Sequence, residues 1–184
     1  FVQSILPDII KKVKSPILSR TLRTTGIAES ILYDFIEARS ISNNNKIGYY
    51  PSIYGVDIKV SNKNKEEIYL FIDMMYETFG NEIYGENDTS MERVVVESCI
   101  KNTKKIAVAE SCTGGLIGDR ITNISGSSEI FTGGVIVYSN DSKVKILGLD
   151  NEGINKFGAV SKYTAIKMAE NVKTMFNSSF GLSV

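Results

Sequence analysis

The first half of the chain has apolar residues at the spacings of both helices and strands. Apolar residues three to four positions apart predict amphipathic helices at residues 5–14, 27–36 and 64–79. Extended or alternating apolar stretches predict strands at residues 17–25, 47–50 and 54–60, the last two forming a hairpin. The polar stretch at residues 40–46 predicts a loop. This order of elements is typical of a small α+β domain.

From residue 88 onward the pattern changes to an alternation of strands and helices. The strands are expected at residues 106–109, 130–138 and 181–184. The helices are expected at residues 90–100, 116–124, 140–147 and 164–176, with a connector at residues 156–160. Short, wholly apolar strands are typical of a parallel sheet covered on both faces, which predicts a three-layer α/β/α domain. A polar segment at residues 80–88 separates the halves, so we predict domains at residues 1–87 and 88–184.

Composition narrows the classes of partner. The chain has 21 Lys and Arg residues and 21 Asp and Glu residues. It therefore has no net positive charge that would attract a phosphate backbone or an anionic membrane. No apolar run approaches the ~20 residues that span a bilayer, and no secretion signal is evident. The two cysteines, Cys99 and Cys112, have no spacing of a disulfide framework. We therefore expect a cytoplasmic protein with no membrane partner.

The absence of histidine restricts the chemistry further. With 0 histidines, the chain cannot contain a Ser-His-Asp triad, a Cys-His pair or a His-ligated zinc site. A hydrolase built from these residues must take its base from Lys, Tyr, Asp or Glu, or from a residue beyond Val184. We expect no metal and no cofactor.

A first candidate cluster is Ala-Glu-Ser-Cys-Thr-Gly-Gly at residues 109–115, between a predicted strand and a predicted helix. Ligands of open α/β sheets bind at the carboxyl ends of strands, and glycines allow close approach of the backbone. Ser111 is therefore a candidate nucleophile, and the alternative is that it only caps the helix. Cys112 is a competing nucleophile, but without histidine it lacks the usual partner, and we expect a partly buried, unreactive thiol.

A second cluster, at residues 133–143, has the same layout of strand, polar turn and helix. If Asn140 caps that helix, Lys143 lies one turn inside it, near Tyr138 at the end of the strand. A neutral Lys143 or a Tyr138 phenolate stabilised by charged Lys143 can replace histidine as the proton acceptor. Lowering a lysine pKa by ~2–3 units amounts to about 3–4 kcal/mol. The sequence leaves these alternatives open, beside a purely structural role for both residues.

Together these clusters resemble the C-terminal domain of the CinA (competence/damage-inducible) family. The resemblance extends to Ser-Gly-Ser-Ser at residues 125–128 and Phe-Gly-Ala-Val-Ser at residues 157–161. Residues 19–30 and 84–88 resemble the KH-like domain that precedes it in the family.

The resemblance implies a nicotinamide mononucleotide amidase, which forms nicotinate mononucleotide and ammonia. It assigns the nucleophile to Ser111 and the supporting roles to Tyr138 and Lys143. The implied substrate contacts are Cys112, Thr113, Gly114, Gly115, Ser139 and Asn140. The expected partners are a small nucleotide substrate and a second copy of the chain in a dimer.

Two departures from the family pattern carry expectations. The family continues after Gly-Leu-Ser-Val into a Thr-Gly-Ile-Ala-Gly-Pro loop, so we expect a truncated amidase domain that is inactive by itself. In the KH-like half, residues 26–29 have Glu29 where a nucleic-acid-binding Gly-x-x-Gly loop has its second glycine. Nucleic acid is therefore not expected as a partner. The alternatives to the amidase are a non-catalytic nucleotide-binding module and nucleic-acid binding through the KH-like half.

Overall fold

The computed structural model describes residues 17–39 and 44–184, which form two compact units. The first unit ends at Ser90 and the second extends from Met91 to Val184. The helix predicted at residues 5–14 and the beginning of the loop predicted at residues 40–46 lie outside the described residues. Each unit has its own sheet and its own core.

The first unit is an antiparallel sheet with helices against one face. Its elements are β1 (Leu18–Thr24), α1 (Glu29–Ala38), β2 (Lys46–Ser52), β3 (Gly55–Asn62), α2 (Lys65–Phe79) and β4 (Ile83–Glu86). The strand order is β2-β3-β1-β4. Alternate residues of β1 and β3, among them Leu22 and Ile58, are fully buried in one core with Leu32 of α1 and Phe71 of α2. This is the α+β arrangement that the apolar spacing predicts and the KH-like fold that the resemblance implies.

The sequence interpretation missed strand β4, which lies in the segment predicted as a linker. Its residues Ile83–Glu86 pair antiparallel with β1, with Leu22 opposite Glu86. Of its four residues only Ile83 is buried, so the strand has no alternation of apolar and polar residues to detect. The first unit therefore extends across the predicted linker.

The second unit has a parallel sheet of three strands in the order β6-β5-β7. Its first elements are α3 (Met91–Lys101), β5 (Ile106–Glu110), α4 (Leu116–Thr122) and, after a 3₁₀ turn at Ser127–Glu129, β6 (Phe131–Ile136). Its remaining elements are α5 (Asn140–Leu147), α6 (Asn151–Phe157), α7 (Lys162–Met175) and β7 (Phe180–Ser183). Every residue of the central strand β5 is buried.

Alternation along β5 divides the second unit into layers. Ile106 and Val108 pack with Val96 of α3 and Ile121 of α4 in one core. Ala107 and Ala109 pack on the other face, in a core with residues of α5, α6 and α7: Leu147, Ile154, Met168 and Val172. Helices therefore cover both faces of the sheet, and the predicted three-layer α/β/α fold is confirmed.

Several predicted boundaries in this unit differ from those observed, and the differences at helix α6 and strand β6 bear on the site. Part of the connector predicted at residues 156–160 belongs to helix α6, whose first amides at Glu152 and Gly153 donate to the Asp150 side chain. This seven-residue helix contains glycine and asparagine, which are weak helix formers, so the pattern did not reveal it. Strand β6 ends at Ile136 and not at residue 138. Among the helices of the described residues, none is long and apolar enough to cross a membrane.

Candidate active site

The carboxyl ends of all three parallel strands meet at one edge of the second sheet. The Val137 amide, after β6, donates to the Glu110 carbonyl at 2.8 Å, and the Ser111 amide donates to the Val184 carbonyl at 2.7 Å. Ser111 is the first residue after β5, so these bonds place its amide between the ends of two neighbouring strands. This edge is where open α/β sheets bind their ligands.

A tight turn leads from Ser111 into helix α4. The Gly114 amide donates to the Ser111 carbonyl at 3.2 Å. Gly114 and Gly115 have φ angles of 60° and 107°, in the left-handed region that favours glycine. The turn therefore requires the Gly-Gly pair for its backbone conformation, whether or not a ligand binds there.

Lys143 reaches this edge from helix α5. Ser139 caps that helix, since its hydroxyl accepts a hydrogen bond from the Ser142 amide at 3.0 Å; the prediction of Asn140 as the cap is wrong. The Lys143 side chain is 2% exposed. Its Nζ donates to Ser111 Oγ at 3.0 Å and to two carbonyls, those of Val137 at 2.9 Å and Tyr138 at 3.0 Å. The structure thus brings the two residues Ser111 and Lys143 into direct contact.

The protonation state of Lys143 decides what this contact can do. Burial lowers the pKa of Lys143, and the nearby Cys112 thiol opposes that shift because its anion would attract the ammonium. An ammonium group has three hydrogens, which match the three acceptors. A neutral amine has two hydrogens for the two carbonyls and a lone pair left for the Ser111 hydroxyl. Loss of one proton therefore converts the lysine from a donor to Ser111 into a base directed at Ser111.

The Tyr138 side chain is not part of this contact. It is 75% exposed, and only its backbone carbonyl accepts from Lys143. Within the described part of the chain its hydroxyl forms no hydrogen bond with Ser111 or Lys143. The catalytic role assigned to Tyr138 by resemblance stays a prediction, and the geometry favours Lys143 as the proton acceptor.

Glu110, next to Ser111, was not among the predicted site residues. Its carboxylate is 1% exposed and accepts four hydrogen bonds, from Thr113 Oγ1 at 2.7 Å and from the amides of Gly115, Ile117 and Gly118 at 2.8–3.0 Å. Burial acts to raise the pKa of Glu110, but these hydrogen bonds outweigh it and the pKa is lowered. The group is therefore a buried carboxylate anion with every donor drawn from the turn and helix that follow it.

A sequence signal for Glu110 did exist. An acidic residue that ends a wholly apolar buried strand, just before a glycine turn and a helix, has no water to solvate it and must find backbone amides. Strand alternation also places Glu110 on the α4 face of the sheet and Ser111 on the α5 face. Neighbours in sequence thus act on opposite sides of the sheet.

The other predicted contact residues divide into occupied and available groups. The hydroxyl of Thr113 and the amide of Gly115 are engaged by Glu110, and the Ser139 hydroxyl caps α5. Gly114 and Asn140 are exposed. Cys112 is also exposed, because the turn directs it to solvent, so the prediction of a partly buried thiol is wrong. Their roles as substrate contacts stay predictions.

Two amides of the turn remain as donors for a developing negative charge. Those of Cys112 and Thr113 donate to no acceptor in residues 17–39 and 44–184, whereas those of Gly114 and Gly115 are engaged. In the same two ranges, no three His, Cys, Asp or Glu side chains come together as a possible metal site.

The second unit is thus a three-layer α/β/α domain with a parallel sheet. A buried lysine contacts a serine at the carboxyl edge of that sheet, which places the unit in the class of α/β domains with a serine–lysine pair. Residues 88–184 match the model of the CinA C-terminal domain, and residues 19–85 match that of the damage-inducible protein CinA KH domain. The chain belongs to the CinA family.

Two curated relatives agree with this assignment. A protein of Halothermothrix orenii whose name describes it as competence-damage inducible is 40% identical over 190 residues, covering 100% of this chain and 46% of that protein. A CinA-like protein of Fervidobacterium nodosum is 36% identical, covering 96% of this chain and 45% of that protein. The chain thus spans less than half the length of these curated relatives. The competence/damage inducible protein CihA of Agrobacterium tumefaciens, a solved structure, is 37% identical with a TM-score of 0.45, over 48% of this chain and 53% of that one.

Proposed function

We propose that this chain is part of an amidase that hydrolyses nicotinamide mononucleotide to nicotinate mononucleotide and ammonia. The substrate and the reaction come from the resemblance of residues 109–115 and 133–143 to the CinA C-terminal domain. The observation that carries the proposal is the 3.0 Å contact between Ser111 Oγ and the buried Lys143 Nζ. A serine beside a lysine of lowered pKa is a nucleophile beside its base, an arrangement that can hydrolyse an amide through an ester intermediate.

In the first half of the reaction, Ser111 Oγ attacks the carboxamide carbon while neutral Lys143 takes the hydroxyl proton. The carbonyl oxygen becomes an oxyanion, for which the amides of Cys112 and Thr113 are the candidate donors. One such donor is typically worth about 3–4 kcal/mol in the transition state. Lys143 then returns its proton to the nitrogen of the carboxamide, and ammonia leaves as the C–N bond breaks.

In the second half, water hydrolyses the nicotinate ester that remains on Ser111. Lys143, neutral again after protonating ammonia, takes a proton from the water as its oxygen attacks the ester carbon. The C–O bond to Ser111 breaks, and the proton on Lys143 returns to Ser111 Oγ. The balance is one water consumed and one ammonia released, with Ser111 and Lys143 restored.

The test is ammonia release from nicotinamide mononucleotide by the full-length protein. Ser111→Ala should abolish release while nucleotide binding persists, because the change removes the nucleophile and leaves the rest of the site. Ser98→Ala is the matched control, since Ser98 is an exposed serine of the same unit, and it should behave as wild type. Equal rates for the wild-type and Ser111→Ala proteins would overturn the proposal.

Two comparison substrates sharpen the assignment. Nicotinamide riboside lacks the phosphate and free nicotinamide lacks the ribose phosphate, so a mononucleotide amidase should release ammonia from them far more slowly. Binding of the mononucleotide by wild-type protein with no ammonia release would instead support the non-catalytic nucleotide-binding module.

A further inference from the structure

Glu110 is the one buried carboxylate at the carboxyl edge of the described parallel sheet, and the proposed reaction makes no use of it. It does not contact Ser111 Oγ or Lys143 Nζ through any hydrogen bond in the described chain. Instead its two oxygens accept only from Thr113, Gly115, Ile117 and Gly118. These donors belong to the turn that follows Ser111 and to the first turn of α4.

The turn needs a group that holds it in one conformation, because its backbone has more conformational freedom than that of a turn without glycine. It contains Gly114 and Gly115, both at positive φ, and glycine has more conformational states to lose than any other residue. One carboxylate connects the hydroxyl of Thr113 with amides on both sides of the junction to α4. Removing it would leave three part-buried amides without their acceptor, which is costly unless the turn rearranges.

We propose that Glu110 is a positioning residue, whose carboxylate holds the turn in the conformation that keeps Ser111 within hydrogen-bond distance of Lys143. The inference rests on the proposed function of that pair. Ser111 is one peptide bond from Glu110 and its carbonyl accepts from the Gly114 amide, so movement of the turn moves Ser111. Movement of the turn would also displace the candidate oxyanion donors, because the amides of Cys112 and Thr113 lie in the same turn.

Glutamine is the most informative replacement because it keeps the size and removes the charge. With its amide oxygen in the place of Oε2 it can still accept from Thr113, Gly115 and Ile117. Its NH₂ then faces the Gly118 amide, donor against donor, and the opposite orientation loses the other three bonds. Aspartate keeps the charge with a shorter reach, and it should retain some of the four hydrogen bonds. Asp119→Asn is the matched control: it makes the same charge change on α4 at an exposed carboxylate.

The experiment compares Glu110→Gln, Glu110→Asp and Asp119→Asn with wild type in the full-length protein. We expect kcat for nicotinamide mononucleotide to fall by about tenfold to a hundredfold in Glu110→Gln with KM changed by less than about threefold, since a displacement of ~1 Å costs about a hundredfold. Glu110→Asp should recover part of kcat, and Asp119→Asn should match wild type. A crystal structure of Glu110→Gln should show Ser111 Oγ and Lys143 Nζ beyond the 3.0 Å found here.

A folded Glu110→Gln protein with wild-type kcat and an unchanged Ser111–Lys143 distance would overturn the inference. If that variant does not fold, Glu110→Asp decides: a reduced kcat at unchanged KM supports positioning, and a wild-type kcat refutes it. Failure of the proposed function can be told apart from failure of this inference, because the wild-type protein would then release no ammonia. In that case the Ser111–Lys143 distance in the crystal structure of Glu110→Gln would be the test of the role of Glu110.

Discussion

The two units differ in the solvent exposure of their charged residues. In the first unit one face of the sheet packs on α1 and α2, while the other carries polar residues around an open depression of about 560 Å³. Arg23 and Asp57 form a 2.8 Å ion pair on that face with side chains 28% and 30% exposed. In the second unit helices cover both faces, and the charged groups at the strand ends, Glu110 and Lys143, are 1% and 2% exposed.

This difference indicates where chemistry is concentrated. Ion pairs open to water typically contribute about 0–1 kcal/mol, so the charges of the first unit are consistent with a solvated surface. Burying a charged group is costly unless hydrogen bonds satisfy it, and both Glu110 and Lys143 have a full set of partners. Such groups with shifted pKa values, beside a serine at a strand end, are typical of catalytic sites.

The largest expected effect separates the buried lysine from an exposed lysine on the same helix. Lys143→Met replaces the amine with an apolar group on an unbranched side chain of similar length. The change removes the base, so kcat for ammonia release should fall about 10²–10⁴-fold. Lys145→Met is the matched control, because the Lys145 side chain is 73% exposed and forms a 2.9 Å ion pair with Asp141. Similar losses in both variants would contradict a special role for Lys143.

A core substitution in the first unit tests whether the two regions are separable. Phe71→Ala removes a ring that is 2% exposed, and should lower the free energy of unfolding of that unit by about 3–5 kcal/mol. Lys59→Ala, on the open face, should change it by less than about 0.5 kcal/mol. Chemical denaturation measures both values. The kcat for ammonia release should stay unchanged while the unit is folded, and a parallel loss of kcat would show that the regions are coupled.

The smallest expected effect concerns Cys112. Its thiol is exposed and Lys143 Nζ bonds to Ser111, not to the cysteine. Cys112→Ala should therefore change kcat by less than about threefold, the range of an ordinary surface substitution. A loss as complete as that of Ser111→Ala would identify the thiol as the nucleophile.

Much of the architecture could be predicted from the sequence because periodic burial is a local property. The apolar run of β5 and the helical spacing of α5 gave boundaries within one residue of those observed. Strand β4 and helix α6 were missed because they are short and bury few residues. Their formation depends on pairing with β1 and on capping by Asp150, which spacing along the chain does not reveal.

The site was predictable in part for a similar reason. Ser111 follows the buried strand β5, and Lys143 lies on the helix that follows the neighbouring strand β6, so topology brings them to one edge. The direction of Tyr138 depends on where β6 ends, two residues earlier than predicted, and its side chain is in solvent. The role of Glu110 depends on amides of a turn whose conformation is set by Gly114 and Gly115.

The most direct test of the central claim, that neutral Lys143 activates Ser111, is the pH dependence of kcat/KM for ammonia release in wild type and Tyr138→Phe. Burial lowers the pKa of Lys143 below its ordinary value of 10.5, so the base gains its neutral form as pH rises through that lowered pKa. We expect kcat/KM to increase with pH between about pH 5 and about pH 10, with an apparent pKa below 10.5, in both proteins. A kcat/KM that is independent of pH over this range, or an increase that disappears in Tyr138→Phe, would contradict it.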